Sequence, residues 1–102
     1  MSNDLKFYIN GEWINSDSNE LIDVINPANE EIIGQITAGT IEDINSAVDA
    51  ASEAFRSFSK SSKKERVDLL KNIIKEYENR YKDLAEVITK EMGAPQWLSD
   101  RA

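Results

Sequence analysis

Two residue types are missing altogether, for the 102-residue sequence holds no cysteine and no histidine. The first absence excludes disulfides, sulfur-ligated metals and a thiolate nucleophile. The second removes imidazole ligands and every histidine-based catalytic triad. Glycine is sparse, and Gly11, Gly34, Gly39 and Gly93 each stand alone. A phosphate-cradling loop needs several glycines close together, so none can be drawn. No apolar run approaches the roughly 20 residues a helix needs to cross a bilayer. Met1-Ser2-Asn3-Asp4 also lacks the basic flank and apolar stretch of a secretory leader, so a cytoplasmic location is expected. Positive charge is short too: 12 Lys and Arg stand against 19 Asp and Glu, a formal net charge of -7. Nucleic-acid backbones and anionic membrane surfaces would repel such a chain, so neither is expected as a partner. The local exception is Lys60, Lys63, Lys64 and Arg66. It has no interleaved aromatic residues for stacking and reads as a solvated connector.

What remains is ordinary for a folded protein, with 40% hydrophobic and 30% charged residues. A chain of this length suits one small domain, burying roughly 60 to 70% of its unfolded surface. Asn10-Gly11 lies between Lys6-Phe7-Tyr8-Ile9 and Glu12-Trp13-Ile14. Asn-Gly tolerates the two positive φ values of a type I′ turn, which predicts a tight β-hairpin. Asn15 to Glu20 is polar and reads as a loop. Leu21 to Ile25 reads as a strand stopped by Asn26-Pro27, because proline lacks an N–H and restricts the residue before it. Ile32, Ile33 and Ile36 suggest a further strand, closed by Ala38-Gly39.

Thr40 opens a helix, with Asp43 placed three residues on as a capping box requires. Ile41, Ile44, Ala47, Val48, Ala51 and Phe55 then recur at steps of three and four, one apolar stripe made shallow by its alanines. Ser57 to Lys63 reads as a polar connector. Ser62 and Glu65 repeat the cap spacing, and Val67, Leu70, Ile74, Tyr77, Tyr81, Leu84 and Ile88 form a heptad-like seam. Either two successive helices share a face, with a break near Asn79, or one coiled-coil hairpin binds a partner helix. The break is favoured, since coiled coils sustain three to four heptads with charge-paired flanks. The coiled-coil alternative would make the chain a small helical interaction module.

Two motif matches fail on their context. Ser57-Phe58-Ser59-Lys60 and Ser61-Ser62-Lys63-Lys64 fit the Ser-x-x-Lys nucleophile motif, but its Ser-Asp-Asn and Lys-Thr-Gly companions are missing. Asn15, Asp17 and Asn19 begin like a calcium loop, yet Glu20 replaces the required glycine and Asn26 the required glutamate.

Four strings in fixed order carry a resemblance. They are Phe7-Tyr8-Ile9-Asn10-Gly11-Glu12-Trp13, Val24-Ile25-Asn26-Pro27-Ala28, Ala50-Ala51-Ser52-Glu53-Ala54-Phe55 and Glu91-Met92-Gly93-Ala94-Pro95. With Arg66 and Leu70 between them, the chain resembles the N-terminal portion of NAD(P)-dependent aldehyde dehydrogenases. Phe58 and Ala94 stand where that family often has Trp and Lys. The resemblance implies an α/β fold: N-terminal β-hairpins plus helices of a Rossmann-like cofactor domain, incomplete in this chain. Residues 1–102 would be the N-terminal segment of that domain, with strands over about 6–38 and helices over about 40–92. The first strands would lie outside, and the helices would pack on a parallel sheet formed by later sequence.

The family oxidises aldehydes to carboxylic acids. A cysteine thiolate attacks the carbonyl, an oxyanion hole holds the developing charge, and a glutamate activates water. No residue here matches the nucleophile, the oxyanion donor, the general base or the main dinucleotide contacts. The segment is therefore expected to be structural and non-catalytic by itself. NAD or NADP, an aldehyde substrate and a homo-dimer or homo-tetramer are implied for the complete enzyme. One site carries over: some relatives hold a monovalent cation, potassium or sodium, at positions matching Val24, Ile25 and Glu91. The carboxylate there is often Asp in those relatives. Finally, Ile44, Val48, Ala51 and Phe55, together with Leu70, Ile74, Tyr77 and Ile88, make a larger apolar face than so short a chain can cover.

Overall fold

The computed structural model describes residues 3–102, which form four strands and then four helices. Strands β1 (Lys6–Ile9) and β2 (Glu12–Asn15) pair antiparallel, with Lys6 opposite Asn15, Phe7 opposite Ile14, Tyr8 opposite Trp13 and Ile9 opposite Glu12. The two turn residues take φ of 52° at Asn10 and 81° at Gly11. Positive φ at both positions is what a type I′ turn demands, and its twist matches that of the strands. The Tyr8 and Trp13 rings face each other across the pair, centroids 5.2 Å apart. Asn15 closes this ladder, so the polar loop begins one residue later than its composition suggests. Strands β3 (Leu21–Ile25) and β4 (Ile32–Thr37) make a second two-stranded sheet.

The helices are α1 (Ile41–Phe58), α2 (Lys63–Asn79), α3 (Tyr81–Met92) and the short α4 (Gln96–Ser99). Both expected capping boxes are present. Thr40 and Asp43 exchange side-chain and backbone hydrogen bonds at α1, and Ser62 and Glu65 do the same at α2. Each box satisfies two of the amide groups that a helix start leaves without partners. The polar connector is shorter than expected, because Ser57 and Phe58 still belong to α1. There i→i−4 backbone bonding outweighs the local polarity.

The heptad-like seam does not run through one helix. At Arg80, φ is -110° and ψ 12°, outside the helical region, and the chain restarts as α3. The Tyr77 and Tyr81 rings meet edge-on across this break, 6.3 Å apart. The two-helix reading is the one observed. Gly93 then ends α3 in the left-handed conformation, φ 68°.

The described residues divide into two compact units. The first joins the segment through Val24 to Gly34–Lys60; the second joins Ile25–Ile33 to Ser61–Ala102. In the first, α1 packs on β1, and Ala47, Ala50, Ala51 and Ala54 line a groove against the turn at Tyr8–Gly11. Alanine's small side chain lets the helix come this close. Thr37, which is buried, donates its hydroxyl to the Leu5 carbonyl at 2.8 Å. In the second unit, α4 packs on α3. Buried Ser99 accepts a 2.8 Å hydrogen bond from the Thr89 hydroxyl, and the Tyr81 hydroxyl donates to the Asp100 carbonyl.

Candidate functional site

Asp43 carries a multiply bonded carboxylate. One oxygen accepts from the Ser16 hydroxyl at 2.5 Å, from the Thr40 amide at 2.9 Å and from the Thr40 hydroxyl at 3.1 Å. Donation by Ser16, then by the Thr40 backbone, holds its pKa below the ordinary carboxylate value against an opposing desolvation effect. The role is structural: the loop after β2 is tied to the first turn of α1. The sequence showed the Thr40–Asp43 spacing, whereas Ser16 lies 27 residues away and carried no local signal.

The three positions expected to hold a cation fall in both units. Val24 closes the part of the first unit that precedes the turn, while Ile25 and Glu91 belong to the second. Val24 is half-buried in β3, Ile25 ends that strand, and Glu91 lies exposed in the last turn of α3. Within the second unit the end of α3 meets the turn that follows Ile25. A Cβ placed on Gly93 would lie 3.1 Å from the Ala28 nitrogen and 3.1 Å from Pro27 Cγ. The absence of that Cβ is what lets helix and turn approach. The turn is shaped from within, since the Asn26 side chain accepts from the Ala28 amide at 2.9 Å and Asn29 accepts from the Glu31 amide at 3.1 Å. Among the described residues no group of three or more His, Cys, Asp or Glu is placed to hold a metal ion.

Two open grooves are largely apolar. One, in the first unit, lies between Phe7, Tyr8 and Ile9 of β1 and Ile44 and Ala47 of α1. The other, in the second unit, is lined by Asn72, Ile73, Glu76, Tyr77, Arg80 and Leu84. Each groove has a single carboxylate, Asp43 in the first and Glu76 in the second, and neither adds the paired acid and base or the nucleophile that chemistry on a small molecule needs.

The family model for the aldehyde dehydrogenase family matches residues 13–101. The chain belongs to the aldehyde dehydrogenase family. A Staphylococcus epidermidis protein assigned as an aldehyde dehydrogenase is 55% identical over 100 residues, which make up 98% of this chain and 21% of that protein. Backbone geometry agrees. A Bartonella henselae aldehyde dehydrogenase superposes with a TM-score of 0.94 at 37% identity, over 98% of this chain and 21% of its own. An aldehyde dehydrogenase C variant from Pseudomonas syringae, solved with NAD+ and octanal, gives 0.95 at 34% identity, over 99% and 21%. The chain thus spans about a fifth of the length of the aldehyde dehydrogenases it matches, and corresponds to their N-terminal part. The mixed strand-and-helix fold expected from the four sequence strings is the fold of that part.

Proposed function

We propose that this chain forms the N-terminal segment, residues 1–102, of the cofactor-binding domain of an NAD(P)-dependent aldehyde dehydrogenase, and that its role there is structural. The supporting observation is the near-identity of its backbone to the corresponding part of the aldehyde dehydrogenase solved with NAD+ and octanal, a TM-score of 0.95 over 99% of the chain. In this reading the intact enzyme converts an aldehyde and water to a carboxylic acid, and NAD(P)+ supplies the hydride acceptor. This chain has no cysteine, no histidine and no clustered glycines, so nucleophile, oxyanion donors and dinucleotide contacts come from other parts of the polypeptide. What these residues do is hold backbone: the β1–β2 hairpin, the capped helices α1 and α2, and the α3 terminus against the Asn26–Ala28 turn.

Three finer readings rest on the same family membership. The enzyme is cytoplasmic; in the described residues no helix is long and apolar enough to cross a membrane. It works as a homo-dimer or homo-tetramer. It binds potassium or sodium through the Val24 and Ile25 carbonyls and the Glu91 carboxylate, and hard oxygen donors suit such an ion. Aldehyde-dependent reduction of NAD+ and NADP+ by the full-length enzyme, against the 102-residue chain in parallel, tests the main reading. Turnover by the long protein and none by the short one is expected. Silence of the long protein toward a broad aldehyde panel would overturn the activity, and turnover by the short one would overturn its structural role. For the cation, Glu91→Gln in the full-length enzyme should weaken stabilisation of the protein by potassium or sodium; unchanged ion dependence would remove the site.

A further inference from the structure

Nine asparagines occur in the chain, and Asn10 alone is followed by glycine. That pairing places an electrophilic side-chain amide next to a main-chain nitrogen that no neighbouring side chain shields. Both residues are exposed, and open space surrounds Gly11 where a Cβ would project. From these observations we infer that Asn10 is a site of spontaneous deamidation, gated by the β1–β2 hairpin.

The Gly11 nitrogen bonds to Asn10 Cγ, the Cγ–Nδ2 bond breaks, and ammonia leaves with the Gly11 amide proton. The product is a five-membered succinimide. Water then opens it at either carbonyl. Breaking the bond between Cγ and the Gly11 nitrogen leaves aspartate; breaking the main-chain carbonyl–nitrogen bond leaves isoaspartate, with the backbone rerouted through Cβ and Cγ. No oxidation state changes, and water is the only added reactant.

The other asparagines are less suited. Asn26 precedes proline, whose nitrogen carries no hydrogen to lose. Asn15 and Asn45 precede serine, but one closes the β2 ladder and the other lies inside α1. Asn10 is itself restrained. The type I′ turn and the Ile9–Glu12 pair restrain the backbone rotation needed to bring the Gly11 nitrogen onto Cγ, so ring closure follows release of that pair. The hairpin therefore sets the rate.

The consequence lies in the register. A two-residue loop fixes which strand residues face each other, and isoaspartate lengthens that loop by one main-chain carbon. The Tyr8–Trp13 ring pair and the strand pairing from Lys6 to Asn15 depend on the original length.

Incubation of the full-length enzyme in mildly alkaline buffer, followed by digestion and mass spectrometry, tests this. The exchange of nitrogen for oxygen should build up at Asn10 roughly tenfold faster than at Asn15 or Asn45, since only glycine leaves the nitrogen unshielded. Denaturant should raise the Asn10 rate further. The isoaspartate form should lose amide protection along β1 and β2, whereas Asn10→Asp, with the same charge and an unaltered main chain, should keep it. Earlier conversion at Asn15 or Asn45 would overturn the site. Equal Asn10 rates with and without denaturant would overturn the gating. Equal loss of protection in Asn10→Asp would overturn the register argument.

Discussion

Asp43 uses a single oxygen to receive three hydrogen bonds, and its ionised form is the one those donors favour. Its folded pKa is lowered, chiefly by the Ser16 hydroxyl and then by the Thr40 amide. The clamp's contribution is therefore fully present above the unfolded carboxylate pKa and is lost as pH falls through the lowered folded value. Carbon-detected NMR of the Asp43 carboxyl should show a midpoint below that of an exposed aspartate, and Ser16→Ala should move it back upward. A midpoint unchanged by Ser16→Ala would mean that this hydroxyl does not govern the charge. Gly93 is the second residue on which local geometry turns. Gly93→Ala meets a left-handed φ of 68° and contacts of 3.1 Å to Ala28 and Pro27. The backbone conformation alone costs about 1–2 kcal/mol, and the close contacts add to it. Amide exchange at the end of α3 and in the Asn26–Ala28 turn should accelerate together; acceleration in the helix alone would show that the contact is not shared.

Helices α1 and α2 are shaped by caps more than by burial. Neither α1 nor α2 has a single buried residue, so their starts depend on local hydrogen bonds. Ser62 accepts from the Glu65 amide at 3.1 Å, and Glu65 accepts from the Ser62 amide at 2.6 Å. Ser62→Ala should weaken the first turn of α2 by about 1 kcal/mol, read as faster exchange at Glu65 and Arg66. Ser62→Asp should restore protection, because its carboxylate also caps and suits the positive end of the helix dipole. The break at Arg80 belongs to this scale as well. Seven apolar residues from Val67 to Ile88 keep a heptad-like spacing through it, yet the helix stops and restarts. Apolar period reports which face is apolar, not whether the backbone is continuous.

For the molecule as a whole, exposed surface is the dominant fact. Large hydrophobic side chains such as Ile41, Met92 and Trp97 are more than 60% exposed. Ala85 is the single buried hydrophobic among the described residues. Ile44, Val48 and Phe55 on α1 are each at least 60% exposed, and Leu70 and Ile74 on α2 nearly as much. A surface this apolar seeks cover. The isolated chain should therefore self-associate or stay loosely packed, with sedimentation rising with concentration and weak amide protection on both helices. A concentration-independent monomer with a sharp two-state melt would contradict this.

The sequence by itself determined what depends on neighbours a few residues apart. Asn10-Gly11 dictated the hairpin and its turn, Thr40 with Asp43 and Ser62 with Glu65 dictated the helix starts, and the four ordered strings indicated the family. Cysteine and histidine, being absent, removed the chemistry that requires them. Tertiary structure decided what requires distant residues to meet. Ser16 on Asp43, Thr37 on the Leu5 carbonyl, and Gly93 against Ala28 join positions 27, 32 and 65 residues apart. The short α4 and its buried Ser99 escaped the sequence reading, because four residues hold too little of a helical period to be seen. Local order follows from hydrogen bonds and steric limits that each residue carries with it; contacts between distant positions exist only once the chain has folded back on itself.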